Sequence, residues 1–184
     1  MRLYIGLLHY PVYDKNYQKI ASAITNLDLH DLSRSAKSYG VNQFFVITPL
    51  EDQQIFAERL VTHWIKGYGA RYNEDRKVAF ELIRIMPTLD HAVGAIADME
   101  RESPILIATD ASRHDSKNIT YAETRGFLNS GKVVFLLFGT AWGLHQDILN
   151  RVDFILDSIQ GNTDYNHLSV RTAAGIILDR LAGR

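Results

Sequence analysis

Val133-Val-Phe-Leu-Leu-Phe138 runs straight into Gly139-Thr-Ala-Trp-Gly-Leu144, and Val152-Asp-Phe-Ile-Leu156 runs straight into Asp157-Ser-Ile-Gln-Gly161. An unbroken apolar run of strand length reads as a strand covered on both faces, the habit of parallel sheets. Each run ends in a loop of small and polar residues. The second loop leads through Asn166, His167, Leu168 and Ser169 into an amphipathic helix. Two strand–loop units in series place both loops at the same edge of a parallel sheet. Open α/β sheets bind ligands at that edge, so the last third of the chain marks a small-molecule site.

The rest of the chain repeats the alternation. Residues 3–8 read as a strand, followed by a long loop from His9 with Pro11 in an extended turn. A helix is expected over 29–39, with Asp28 as its N-cap, Asp31 in its first turn and Gly40 as its stop. Leu29, Leu32, Ala36 and Tyr39 form its inner stripe, and Arg34 lies off it. Residues 43–48 read as a strand and 51–65 as a helix, with Ile55, Leu60 and Ile65 inward. Residues 67–77 read as a polar loop and 80–85 as a strand. Thr88 caps a helix to about residue 101 with Leu89, Val93 and Ile96 inward. Residues 104–108 are a strand and 121–129 a short helix. The class is α/β: one domain over residues 1–184, a mostly parallel sheet with helices on both faces.

Bulk properties narrow the function. The 184-residue chain is 46% hydrophobic and 22% charged, ordinary for a soluble globular protein. No run of eighteen apolar residues predicts a membrane span. The first residues read as a strand, too short in its apolar part for a signal peptide, so the expected compartment is the cytoplasm. Cysteine is absent, which removes thiol nucleophiles, disulfides, Cys-ligated zinc and iron–sulfur clusters. With a formal net charge of −1, any RNA must be held by a local patch.

The polar clusters leave more than one reading open. Gly139-Thr-Ala-Trp-Gly-Leu144 lacks the ending of a Walker A loop and the spacing of a dinucleotide fingerprint. Its glycines suit either a plain turn or a backbone that a ligand approaches closely. In Asp110-Ala-Ser-Arg-His-Asp115, Asp110 and His114 have the chemistry for acid–base work, and the same residues also suit a solvated loop with helix caps. The seven histidines form no His-x-x-x-His pair, so no metal is expected. There is no Gly-x-Ser-x-Gly elbow. Residues 165–178, with Ala173, Ala174 and Gly175, suit a capped helix in a crowded interior and a ligand wall equally well.

Three separated segments together resemble the SPOUT class of S-adenosylmethionine-dependent RNA methyltransferases, in particular the small single-domain group related to the C-terminal part of bacterial tRNA (guanine-N1-)-methyltransferase. They are residues 26–41, with Arg34 six residues before Gly40; residues 137–144, similar to a glycine-rich second motif; and residues 166–178, similar to the motif that opens the last helix. The resemblance implies a deep C-terminal trefoil knot (an α/β-knot), a homodimer, and S-adenosyl-L-methionine bound in a bent form by the loops after Ala108, Phe138 and Leu156. It assigns the cofactor to Thr109, Asp110 and Ala111, to Leu137, Phe138, Gly139, Thr140, Gly143 and Leu144, to Leu156, Ser158 and Ile159, and to Asn166, His167, Leu168, Ser169 and Ala173. Arg34 is expected to reach the active site of the partner subunit, and Asp110 to accept a proton. The implied activity is methyl transfer to RNA, with tRNA the first choice. The glutamate that ribose methyltransferases of the class often carry in the second motif has no counterpart in Thr140-Ala-Trp142. Two rival readings are a non-catalytic module that binds a nucleotide or metabolite, and a methyltransferase with a non-RNA acceptor.

Overall fold

The computed structural model describes residues 1–112 and 116–183. Its strands in chain order are β1 (Arg2–Leu8), β2 (Val12–Tyr13), β3 (Lys19–Ile20), β4 (Gln43–Ile47), β5 (Ile83–Met86), β6 (Ile105–Thr109), β7 (Asn118–Ile119), β8 (Val133–Gly139) and β9 (Phe154–Leu156). The helices are α1 (Asn26–Ser38), α2 (Glu51–Ile65), α3 (Tyr68–Tyr72), α4 (Glu74–Phe80), α5 (Leu89–Glu100), α6 (Tyr121–Asn129), α7 (Gln146–Leu149) and α8 (Val170–Ala182). Seven strands form one sheet in the order β5-β4-β1-β8-β6-β9-β7, parallel throughout. β2 and β3 form a separate antiparallel hairpin.

The period-2 alternation of strand side chains sorts the core into two layers. Leu3, Ile5 and Leu7 of β1 and Val134, Leu136 and Phe138 of β8 face α1, α2, α4, α6 and α8. Tyr4 and Leu8, with Phe135 and Leu137, face α5 and α7. β8 is buried over six of its seven residues because β1 and β6 pair with it on either side and helices cover both faces.

Helix α1 starts before residue 29, and its N-cap is Thr25, not Asp28. The Thr25 side chain accepts the Asp28 amide, while its hydroxyl donates to Asp28 Oδ2 at 2.6 Å. Asp28 therefore lies within the first turn, where a carboxylate also meets the helix dipole favourably. At the other end Val41 N–H donates to Ala36 O (2.9 Å) and Gly40 N–H to Lys37 O (3.3 Å), with Gly40 at φ +68°. That is the Schellman closure its glycine foretold.

Three further expectations are corrected. Residues 67–77 are not a loop: they hold α3 and most of α4, which ends at Phe80, so the fifth strand starts only at Ile83. The polar residue Asn73 that suggested a loop is the N-cap of α4, accepting the Arg76 amide at 2.9 Å. Ile55 is 47% exposed. The inward stripe of α2 runs through Ala57, Leu60, Val61 and Trp64, and Ile55, two residues before Ala57, falls on the opposite side of a 3.6-residue helix. Finally, the long loop after β1 contains the β2–β3 hairpin.

Candidate active site

Strands β6, β8 and β9 end side by side, with Thr109 beside Leu156 in the register and Gly139 beside Leu8 of β1. From β1 the chain builds one half of the sheet through β4 and β5, then crosses to build the other half from β6. β8 sits at this reversal, where the loops on either side diverge and leave room for a ligand. A cleft of about 1140 Å³ opens there, lined by the ends of these strands, by residues of the 13–28 segment and by the start of α8.

The loop after β8 is zipped to the hairpin. Trp142 N–H donates to Tyr13 O (3.0 Å), Tyr13 N–H to Gly143 O (3.0 Å) and His145 N–H to Pro11 O (3.1 Å). A side chain on Gly139 would come within 2.7 Å of Leu144 N and 3.0 Å of the Gly143 carbonyl carbon. Gly139 is thus required by its own loop. Gly143, at φ +100°, is the glycine that opens onto space, since a Cβ there would meet nothing within 4 Å.

A polar chain fixes the same loop from beneath. Thr140 Oγ1–H donates to Leu8 O (3.0 Å), which leaves Thr140 Oγ1 to accept from Ser22 Oγ–H at 2.5 Å. Ser22 Oγ then accepts from His9 Nδ1–H at 3.0 Å. His9 is fully buried. Burial pushes its pKa down to about 4, against smaller opposing effects of the Asp28 charge and the Ala23 backbone. It is a neutral donor near pH 7.

On the far wall, Thr109 Oγ1–H donates to Leu137 O (3.0 Å), and Asp110 Oδ1 accepts the Ser112 amide (2.8 Å). Asn166 Nδ2–H reaches Ala111 O (2.7 Å), joining the loop before α8 to the loop after β6. Ser169 caps α8 by accepting the Thr172 amide (3.3 Å). Near the cleft, Arg171 of α8 donates from Nη1 to Asp28 Oδ1 (2.8 Å), and its Nε lies 3.4 Å from Asp31 Oδ2.

Most of the residues expected at the site come together. Thr109, Asp110, Ala111, Phe138, Gly139, Thr140, Gly143, Leu144, Leu156, Ser158, Ile159, Asn166, His167, Leu168, Ser169 and Ala173 all line the cleft. Leu137 does not. It is one residue out of phase with Phe138 and its side chain enters the opposite core layer. Arg34 is exposed on α1 and is not part of its own cleft lining. His114 lies outside the described residues. Sequence reasoning missed Tyr13, Ser22, Thr25 and Asp28, which arrive from the N-terminal segment. The one signal for them was a polar stretch after a buried strand.

This lining suits S-adenosylmethionine. Among the described residues, the amides of Ser158, Ile159, Asn166, His167 and Leu168, all in the lining, make no backbone–backbone hydrogen bond, so neutral donors remain in the same lining as the apolar Phe138 and Leu156 for an adenine edge. Asp110 and Asp157 bring carboxylates to the lining for a ligand carrying a sulfonium and an ammonium, while Asp28 is already paired with Arg171.

Comparison with known proteins agrees. A family model described as SAM-dependent RNA methyltransferase matches residues 2–183. A tRNA (guanine-N(1)-)-methyltransferase of Oleidesulfovibrio alaskensis is 42% identical over 181 residues, 98% of this chain, and the match spans only 42% of that longer relative. Among solved structures, a methylase family protein from Neisseria gonorrhoeae superposes with a TM-score of 0.68 at 20% identity, covering 100% of this chain and 82% of that one. The SpoU methyltransferase AviRb from Streptomyces viridochromogenes superposes at 0.61 and 17% identity, over 98% of this chain and 58% of its own.

Proposed function

The chain belongs to the family of SAM-dependent RNA methyltransferases, and from that premise we propose that it methylates tRNA in the cytoplasm, as a homodimer of single α/β-knot domains over residues 1–184. The observation that carries the reading is the convergence of three strand-end loops and the start of α8 on one cleft lined by backbone amides, apolar side chains and carboxylates. The relative of matching sequence that is named for a tRNA activity directs the choice of acceptor.

Bound in the cleft, S-adenosylmethionine supplies a methyl group on a sulfonium, a leaving group that needs no protonation. The residues of the chain have two tasks. Phe138, Leu156, Ile159 and the backbone of Gly139 and Thr140 hold the donor, orient it and exclude water, and alignment of this kind supplies roughly 7–11 kcal/mol in effective concentration. Asp110, at the cleft, takes the proton from the acceptor atom. Arg34 lies on the same exposed side of α1 as Leu27, seven residues before it. That placement supports a role in the partner subunit's cleft, where a guanidinium can hold a phosphate or a base edge in two bonds. A knot is supported by β9 lying between β6 and β7, which are successive strands before it in the chain.

Transfer of tritiated methyl from S-adenosylmethionine to undermodified tRNA tests the proposal, with mass-resolved light scattering for the dimer. Wild type is expected to label tRNA, and Arg34→Ala to lose most transfer while retaining cofactor affinity and melting temperature. A protein that binds the cofactor and labels no RNA pool is instead a binding module or acts on another acceptor.

A further inference from the structure

Asp28, Asp110 and Asp157 line the cleft, and among the described residues lining it there is no lysine or arginine. Asp28 is already paired with Arg171 just outside the lining, and among the described residues the lining itself offers a phosphate backbone no cationic side chain to bind. What an RNA can present to such a cleft is the face of a base, which stacks on aromatic side chains whatever the local charge.

The rim holds such side chains. Trp142 and Tyr17 both line the cleft and are 61% and 76% exposed. An indole left in water forgoes the stabilisation that burial would give, yet this one stands on a fixed backbone. Trp142 is hydrogen-bonded to Tyr13 through its own amide, and Tyr13 also holds the following residue, Gly143. Ala141 before it sits at φ +52° and Gly143 after it at φ +100°, so two left-handed residues bend the chain around the indole. A left-handed conformation at a non-glycine residue is strained and persists where surrounding contacts impose it. Tyr17 is likewise left-handed, at φ +58°, and its ring is braced edge-on by Tyr13, with centroids 5.8 Å apart. Exposed rings thus coincide with left-handed backbone, at Tyr17 itself and at Ala141 next to Trp142, in the lining of one cleft.

We propose that Trp142, with Tyr17 in the same cleft lining, is the platform on which an unpaired base of the RNA acceptor stacks, so that the enzyme selects a nucleotide outside a duplex. The inference rests on RNA being the acceptor. Inside a duplex both faces of a base are covered by its neighbours, and only a looped or flipped-out nucleotide offers a free face. Trp142 thereby determines specificity for the acceptor, and the donor is held deeper, by the strand ends.

Tryptophan fluorescence reads this directly. The chain has two tryptophans, and Trp64 is packed with His30, Phe80 and Arg76 on α2's inner side. The protein saturated with S-adenosylhomocysteine is titrated with a short single-stranded oligoribonucleotide and with the same sequence in a duplex. The single strand is expected to quench the emission, the duplex is not, and Trp142→Phe should remove most of the quenching. Trp142→Ala should raise the KM for a methyl-accepting RNA about tenfold or more, with calorimetric affinity for S-adenosylhomocysteine unchanged. Equal quenching by the duplex, or an unchanged KM, overturns the proposal. So does a matching loss of S-adenosylhomocysteine affinity, which makes Trp142 a wall of the donor site, or a change in oligomeric state, which makes it an interface residue. An RNA that accepts methyl without quenching Trp142 sinks the stacking platform alone. Cofactor binding with no RNA labelled or bound removes the RNA reading and this proposal with it.

Discussion

His9 is buried where β1 ends, and its surroundings decide its protonation. Its folded pKa of about 4 lies below the ordinary value of 6.5 because burial penalises the imidazolium more than the nearby Asp28 favours it. The unfolded chain therefore binds more protons than the folded one between these two values. Stability is complete above pH 6.5 and is lost as pH falls toward 4. The loss from this one group is on the order of 3 kcal/mol. His30, whose pKa burial also lowers, contributes with the same sign. His9→Gln is expected to be less stable than wild type at pH 7.5, because Ser22 loses its donor. Its further decline on going to pH 4.5 should be smaller by about 2–3 kcal/mol. Urea unfolding of both proteins at the two pH values checks this. Parallel declines would show that His9 is not the group being titrated. Nothing in the sequence separates His9 from the other six histidines. Its burial follows from β1 pairing with both β4 and β8, and the second pairing brings residues more than a hundred positions apart into register.

The helices are held at their ends by chemistry that a sequence does display. Thr120 and Glu123 form a reciprocal capping box at α6: the Thr120 hydroxyl accepts the Glu123 amide, and the Glu123 carboxylate accepts the Thr120 amide at 2.9 Å. Thr120→Ala is expected to lower the unfolding free energy by about 1 kcal/mol. Glu123→Gln should lower it less, since an amide oxygen still accepts that bond. Thermal melts of the two variants decide the order, and equal losses would mean that the carboxylate's charge rather than its geometry secures the helix. Where punctuation was of this kind, reading it worked except at the start of α1, where Thr25 and not Asp28 is the cap. Thr88 caps α5, Gly40 closes α1, and the bounds of α2 and α6 fall where their patterns placed them. It failed where the same residue types serve two purposes. Gly67, Gly69 and Asn73 look like loop residues, yet they sit at the ends or inside of one-turn and two-turn helices too short to show a stripe. β2 and β3, with two residues each, carry no periodicity, and β2 is held by its bridge to Leu144 across the chain.

At the scale of the whole molecule, the binding site was partly legible. The loops after β6, β8 and β9 could be found from apolar runs that end in small residues, and they line one cleft as expected. A further part of its wall comes from residues 13–28. Those residues join it because the parallel pairing of β1 with β8 sets Leu8 against Gly139 and carries the following segment over the glycine loop. A ligand in this cleft therefore contacts chain segments from both ends of the sequence, and it binds only when the sheet between them is formed. Unfolding must release it. S-adenosylmethionine or S-adenosylhomocysteine is thus expected to raise stability by about 2.7 kcal/mol at a hundredfold excess over its dissociation constant, with a melting temperature that keeps rising with ligand concentration. Differential scanning calorimetry across a ligand series checks both. Hydrogen exchange adds a spatial test, because the protection gained on binding should appear in the 13–28 segment as well as in the loops after β8 and β9. Protection confined to the C-terminal loops would show that the hairpin is only a neighbour of the donor site. No stabilisation by either ligand at millimolar concentration would remove the donor from this cleft.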